Sequence, residues 1–200
     1  GCRGPWKGLD ALSHAIESYW SVKSNEESRG YAAKAIRLFV ENKAGYIANE
    51  DAANRGMLMA SYYGGKAIHI TSTTSAHAMC YNLTMNCSTA HGHSVAVCLA
   101  EIWRYMNLHN DRVNDPRGRA YVLDTLDELG VLLGARDSQG GAAAFRALLD
   151  EFELPAPKAD PATVKAFVKS VNPAKLLTNP TVLAESDVEL IYNRVFGFNE

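Results

Sequence analysis

The sequence predicts an all-α fold, an irregular bundle of at least seven helices. Three observations carry this. Apolar residues recur at three- and four-residue intervals through most of the chain, the spacing of a helix that buries one face. Ser, Asn, Asp and Pro stand ahead of several of these runs, where helix caps belong. No stretch alternates long enough for a half-buried strand; Ile68 to Thr71 is the one short candidate, and its surroundings favour helix or loop.

Taken in order, residues 1–8 lack periodicity and read as a domain junction or a cloning remnant, with the helical domain spanning 9–200. Leu9 to Val22 forms the first helix, its stripe made by Leu9, Leu12, Ala15, Ile16 and Tyr19. Ser24 and Asn25 cap a second helix to about Asn42, with Glu26 and Glu27 favourable in its first turn. A third opens at Asn49 or Glu50. Its Gly64 and Gly65 each cost about 1 kcal/mol against Ala, which points to close helix approach or a kink. Thr71 to Ser75 offers hydroxyls to cap the helix carrying His77, and His91 to Leu108 is a long apolar helix that belongs at the centre. Asn110 to Arg117 is a loop. Helices then follow at Arg119–Leu133 and Ala142–Phe152, separated by a Gly-rich turn at Asp137–Gly141. Leu154 to Ala162 is a proline-rich connector ending in Asp160 as N-cap and Pro161 at the first helical position. Lys175 to Asn179 is a turn, and Ser186 caps a closing helix to Phe196.

Composition narrows the function. Two hundred residues, 47% hydrophobic and 21% charged, make an ordinary globular protein with one good core. A net charge of −2 with dispersed Lys and Arg gives no electrostatic case for nucleic acid. No apolar run approaches a membrane span, and nothing resembles a signal peptide. Cys2, Cys80, Cys87 and Cys98 form no C-x-x-C pair and read as reduced core thiols of a cytoplasmic protein.

The chemistry concentrates in Ser75–His93, SAHAMCYNLTMNCSTAHGH, together with LDALSHAIE near the start. Asp10 and His14 are four apart on a helix, so both leave one face. His77 and His91 are fourteen apart across a polar break at Asn86–Ala90. One carboxylate oxygen and three imidazole nitrogens are a sufficient ligand set for a divalent ion of the Fe(II) or Zn(II) class, with room left for a substrate oxygen. The alternative is a buried polar network without metal. His93, two residues after His91, points elsewhere and reads as a group behind the ligands or a cap; Cys80 and Cys87 are weaker candidates, since the histidines already suffice.

GLDALSHAIESYWS, MLMASYYGGKAIHI, SAHAMCYNLT and AHGHSVAVCL, in that order and spacing, resemble the C-terminal domain of the iron-containing (group III) alcohol dehydrogenases, a dehydroquinate synthase-like fold. The resemblance covers nearly the whole chain. It implies metal ligands at Asp10, His14, His77 and His91, with a metal-bearing half at 9–108 and capping helices at 109–200. It also implies hydride transfer between NAD(P) and a small alcohol or aldehyde, the metal acting as Lewis acid and Fe(II) favoured over Zn(II). Many members carry a His four residues after the third ligand, often assigned to proton relay; here Tyr81 stands there, either as core or behind the ligands. No glycine-rich phosphate loop is encoded. The chain therefore reads as the metal-binding half of an enzyme, a natural truncation or an excised fragment whose NAD(P)-binding N-terminal domain lies elsewhere. Homo-oligomers remain open.

GKAIHITSTTSAH puts Lys66, His69 and the hydroxyls of Thr71, Ser72, Thr73 and Thr74 just before His77. Cations and hydroxyls at a helix start suit an anionic head group, so Lys66, His69 and Thr73 read as binders of a phosphonate- or carboxylate-bearing aldehyde; the alternative is that the hydroxyls are helix caps and Lys66 a solvated surface residue. The same strings look more like the phosphonoacetaldehyde reductase branch of that family than its simple alkanol branch. Two classes of function result: an oxidoreductase domain that needs a cofactor domain, or a remnant without turnover that serves as a helical metal-binding or interaction module.

Overall fold

The computed structural model describes residues 6–198, and every regular element among them is a helix. In order these are α1 (Trp6–Trp20), α2 (Glu26–Ile47), α3 (Asp51–Thr71), α4 (Ser75–Asn86), α5 (His91–Leu108), α6 (Arg119–Leu132), α7 (Ser138–Glu151), α8 (Pro161–Ser170), α9 (Pro173–Leu176) and α10 (Glu185–Val195). One antiparallel bridge, Val113 with Thr181, is the β pairing found among the described residues. Helix α5 is the hub. It packs against α1 and α4 near its start and against α7 and α10 farther along. Val95, Leu99, Ile102, Trp103 and Met106 are fully buried on it, and burial of that kind contributes about 1.5–3 kcal/mol per large apolar side chain. Helices α1, α2 and α3 form a second packed layer. None of the described helices is long and apolar enough to cross a membrane.

Several boundaries differ from the sequence reading, each for a physical reason. Helix α1 begins at Trp6, inside the expected junction, while residues 1–5 and Cys2 among them lie outside the described part. Helix α2 runs past Asn42 to Ile47, because its Gly45 allows the tight corner against Glu50 and Ala53 of the next helix. The expected Gly-rich turn at 137–141 is instead the first turn of α7, opened by the Asp137 carboxylate accepting from the Gly140 N–H. Its glycine serves a helix crossing: a Cβ on Gly141 would lie 2.6 Å from the Gly130 Cα, and one on Gly130 would lie 2.0 Å from the Asp137 carbonyl oxygen. Lys175 belongs to the single helical turn α9. Ser186 does not cap α10; the helix starts one residue earlier, and the Asp187 carboxylate accepts from the Ala184 N–H at 2.8 Å. The Asn25 and Asp160 caps are where the sequence puts them.

Candidate metal centre

Asp10, His14 and Glu17 descend one face of α1, at the spacing i, i+4, i+7 that aligns side chains on a helix. Helix α4 brings His77 in its first turn, and α5 brings His91 as its first residue. Glycine sets the closeness of α1 and α5. A Cβ on Gly92 would lie 2.2 Å from the Trp6 carbonyl oxygen and 2.9 Å from the Asp10 Cβ, so any larger residue would push the His91 end of α5 away from Asp10. Gly64 does the same for α3, where a Cβ would be 3.0 Å from the Ala11 carbonyl oxygen and 3.7 Å from the His14 Cβ. Gly65 faces open space instead.

Three donor atoms converge. Asp10 Oδ1 is 3.7 Å from His77 Nε2 and 3.6 Å from His91 Nε2, and one ligating atom from each residue falls within 4.8 Å of the others. These separations are too long for hydrogen bonds. Asp10 Oδ1 and His77 Nε2 are buried without any hydrogen-bond partner, a costly condition for polar atoms. His14 stands alongside: its Nδ1 is 3.9 Å from Asp10 Oδ2, and its ring stacks on His77 with centroids 4.4 Å apart. The donor set fits a divalent ion of the Fe(II) or Zn(II) class, since such an ion would satisfy both orphaned atoms at once and imidazole with carboxylate suits it.

Behind His77 lies Glu17, which the sequence reading passed over. It is fully buried. Its Oε2 meets His77 Nδ1, and its Oε1 accepts from the N–H groups of Thr74, Ala76 and His77 and from the Thr74 hydroxyl. A side chain of α1 thus caps the N-terminus of α4. The expected hydroxyl caps do not form: Thr74 and Ser72 make no side-chain cap, and the Ser75 hydroxyl donates to Asn179 Oδ1 at 2.8 Å. Carboxylate behind imidazole fixes the ring and its tautomer, so that Nε2 faces Asp10. The sequence signal was available: an acid three residues beyond His14 and seven beyond Asp10, in an otherwise apolar stretch.

The electrostatics follow from this crowding. Burial pushes the Asp10 carboxyl up, but His77, His14 and His91 together pull it below its ordinary value. Burial pushes His77 down, yet Glu17 and Asp10 outweigh it and raise the imidazole to about 9. His14 and His91 are held below the usual histidine value, by burial first and then by the neighbouring His77. Without an ion, His77 therefore carries the proton that an ion would displace. Burial also raises the thiols of Cys80 and Cys87. Cys80 Sγ donates to the His77 carbonyl and lies 3.8 Å from His91 Nδ1, which places it behind His91 as a thiol.

The remaining expected site residues scatter. Lys66 Nζ lies over the rings of Tyr31 and Tyr62, 4.5 and 5.6 Å from their centroids, on the α2–α3 surface. His69 is exposed on α3, and the Thr73 carbonyl accepts from the Thr178 hydroxyl. Gly64 gives the reason: the α3 face turned to His14 is the one that carries Gly64, and two residues onward Lys66 turns away from it. His93 is buried, with Nε2 2.8 Å from the Pro155 carbonyl oxygen on the connector before α8. Tyr81 is not core. It is 48% exposed, its ring 6.2 Å from that of His91, and Lys175 Nζ donates to its hydroxyl at 3.3 Å.

Residues 6–196 match the family model described as Fe-containing alcohol dehydrogenase family, C-terminal. A phosphonoacetaldehyde reductase of Streptomyces viridochromogenes is 35% identical over 141 residues, covering 69% of this chain and 36% of the relative. Long-chain-alcohol dehydrogenase 1 of Geobacillus thermodenitrificans is 37% identical over 101 residues, covering 50% of this chain and 26% of the relative. The iron-containing alcohol dehydrogenase structure from Thermococcus thioreducens superposes with a TM-score of 0.84 at 18% identity, over 96% of this chain and 50% of that one. That last likeness shows the fold alone. The chain spans about half the length, or less, of the proteins it matches.

Proposed function

The chain belongs to the iron-containing alcohol dehydrogenase family, as its C-terminal domain, and on that premise we propose that its polar seam is the metal-binding wall of an NAD(P)-dependent alcohol dehydrogenase or aldehyde reductase. The observation that carries this reading is the pair of buried, partnerless atoms, Asp10 Oδ1 and His77 Nε2, facing His91 Nε2. Asp10, His77 and His91 hold the ion, with His14 as the fourth ligand through its place beside Asp10. A divalent ion, Fe(II) before Zn(II), supplies Lewis acidity toward a substrate oxygen. Asp10 contributes negative charge, and the imidazoles keep the site only partly neutralised. Glu17 locks His77 in the tautomer with Nε2 toward the ion. Nicotinamide, bound by residues outside these 200, performs the redox step.

The substrate is a small aldehyde or alcohol. A phosphonate or carboxylate on it is favoured by the likeness to the phosphonoacetaldehyde reductase. Metal analysis tests the reading. Protein purified without chelator should retain about one divalent ion per chain, and His77→Ala should retain far less. Equal content in both, or none in either, would overturn it.

A further inference from the structure

A second cation to consider for an anionic head group is Lys175 on α9. Lys175 Nζ lies 4.6 Å above the centre of the Tyr81 ring and 3.3 Å from its hydroxyl. The Tyr81 ring in turn tilts against His91, 6.2 Å away. Lys175 is thus one aromatic ring removed from a proposed metal ligand. Among the described residues no carboxylate pairs with it; its recorded partners are the hydroxyl and face of Tyr81. Two arginines of the bundle are already paired with carboxylates. Arg112 is engaged by Asp187, and Arg117 by Asp115. A half-buried ammonium held on an aromatic face, unneutralised and next to a metal site, is a preformed counter-ion for an oxyanion.

We propose that Lys175, resting on Tyr81, binds the oxyanion head of the substrate (phosphonate, sulfonate or carboxylate) beside the residues that would hold the metal. This deepens the reading of Asp10, His77 and His91 as a metal site and rests on it. Lys175 selects the charge carried a few bonds away from the alcohol or aldehyde oxygen. Tyr81 is the platform that sets the height of the ammonium over the rim and keeps its chain from folding back.

The test uses the Co(II)-loaded chain, whose visible spectrum reports the ion's surroundings without turnover. 2-Hydroxyethylphosphonate and 1-propanol are titrated into wild type, Lys175→Met and Lys175→Arg. Wild type should bind the phosphonate at least about tenfold more tightly than propanol, the factor a charge-assisted contact supplies. Lys175→Met should lose that preference while keeping its cobalt spectrum and its affinity for propanol, and Lys175→Arg should retain it. An undiminished phosphonate preference in Lys175→Met, with the cobalt spectrum intact, overturns the assignment of Lys175 alone. Failure of wild type to develop a cobalt spectrum overturns the metal reading and this inference with it.

Discussion

The two ends of α5 are built from the same kind of helix and do opposite things. Its start, His91 to Ser94, enters a seam of buried carboxylates and imidazoles from α1 and α4, with two polar atoms left unpartnered. Its later turns carry Trp103 into a crossing with α7, where the indole N–H donates to the Ser138 hydroxyl at 2.9 Å and the neighbouring carboxylate, Glu101, is paired with Arg104 at 3.7 Å. Glycine sets the packing at both ends: Gly92 brings the α5 and α1 backbones together, and Gly141 of α7, set against Gly130 of α6, leaves room for the Trp103 ring. The first closeness positions donor atoms and leaves them unsatisfied; the second fills space. Unsatisfied polar atoms stabilise nothing by themselves, a condition the proposed ion would relieve, and the crossing holds the helix that presents them.

Substitutions separate these roles, and the largest effect belongs to Glu17. Its carboxylate accepts from three backbone N–H groups, the Thr74 hydroxyl and His77. Removing one partner of such a buried pair costs about 3–5 kcal/mol, so Glu17→Ala should show that loss in urea unfolding. Glu17→Gln, which keeps the shape, should weaken metal affinity about 10–100-fold. A Gln variant with unchanged metal affinity would show that Glu17 serves only as the cap of α4.

Next comes the ion itself. Its proposed ligands come from α1, α4 and α5, so it should bind only the folded chain and stabilise it by linkage. Zn(II) at a hundredfold its dissociation constant should add about 2.7 kcal/mol, seen as a rise in melting temperature that His91→Ala reduces or abolishes. An equal rise in His91→Ala would place the ion elsewhere. At the other end of α5, Gly130→Ala forces a methyl against the Asp137 carbonyl, and overpacking of this kind costs about 1–3 kcal/mol. Metal affinity should stay as in wild type, measured by competition with a chromophoric chelator. A coupled loss would mean that the two ends are not separate devices.

How much of this the sequence disclosed follows the same division. Helical period and family strings located α1 to α5 and four candidate ligand positions, three of which the fold brings together as a tight group, with His14 adjacent. Those features are local: spacing along one helix, or a motif within one string. Glu17 and Lys175 were passed over because their meaning is tertiary. Glu17 acts on α4 from α1, and Lys175 meets Tyr81 across 94 residues. Lys66 shows the converse. It is near His77 in sequence, but α3 turns it toward Tyr31 and Tyr62. The glycines at 140 and 141 read as a turn because composition does not distinguish a bend from a close crossing.

The smallest effect tests whether the far part of the bundle is independent of the centre. Asp187 accepts from Arg112 through both oxygens, at 3.0 and 2.9 Å, and from the Ala184 N–H as the cap of α10. Burial pushes its carboxyl up, but Arg112 and the Ala184 N–H draw it below the ordinary value. A carboxylate lowered in the folded state contributes stability that is present above its unfolded value, about 3.9. That contribution fades as pH falls through the lower folded value. Asp187→Ala should therefore cost about 1 kcal/mol near neutral pH, the usual loss for such a cap. The gap from wild type should narrow below about pH 3.9. Urea midpoints at neutral and acid pH measure the gap, and Zn(II) affinity at neutral pH serves as the control. A gap that persists unchanged in acid would assign Asp187 a packing role without charge. A shift in Zn(II) affinity would tie α10 to the metal centre through α5, and the two ends of that helix would then be one device.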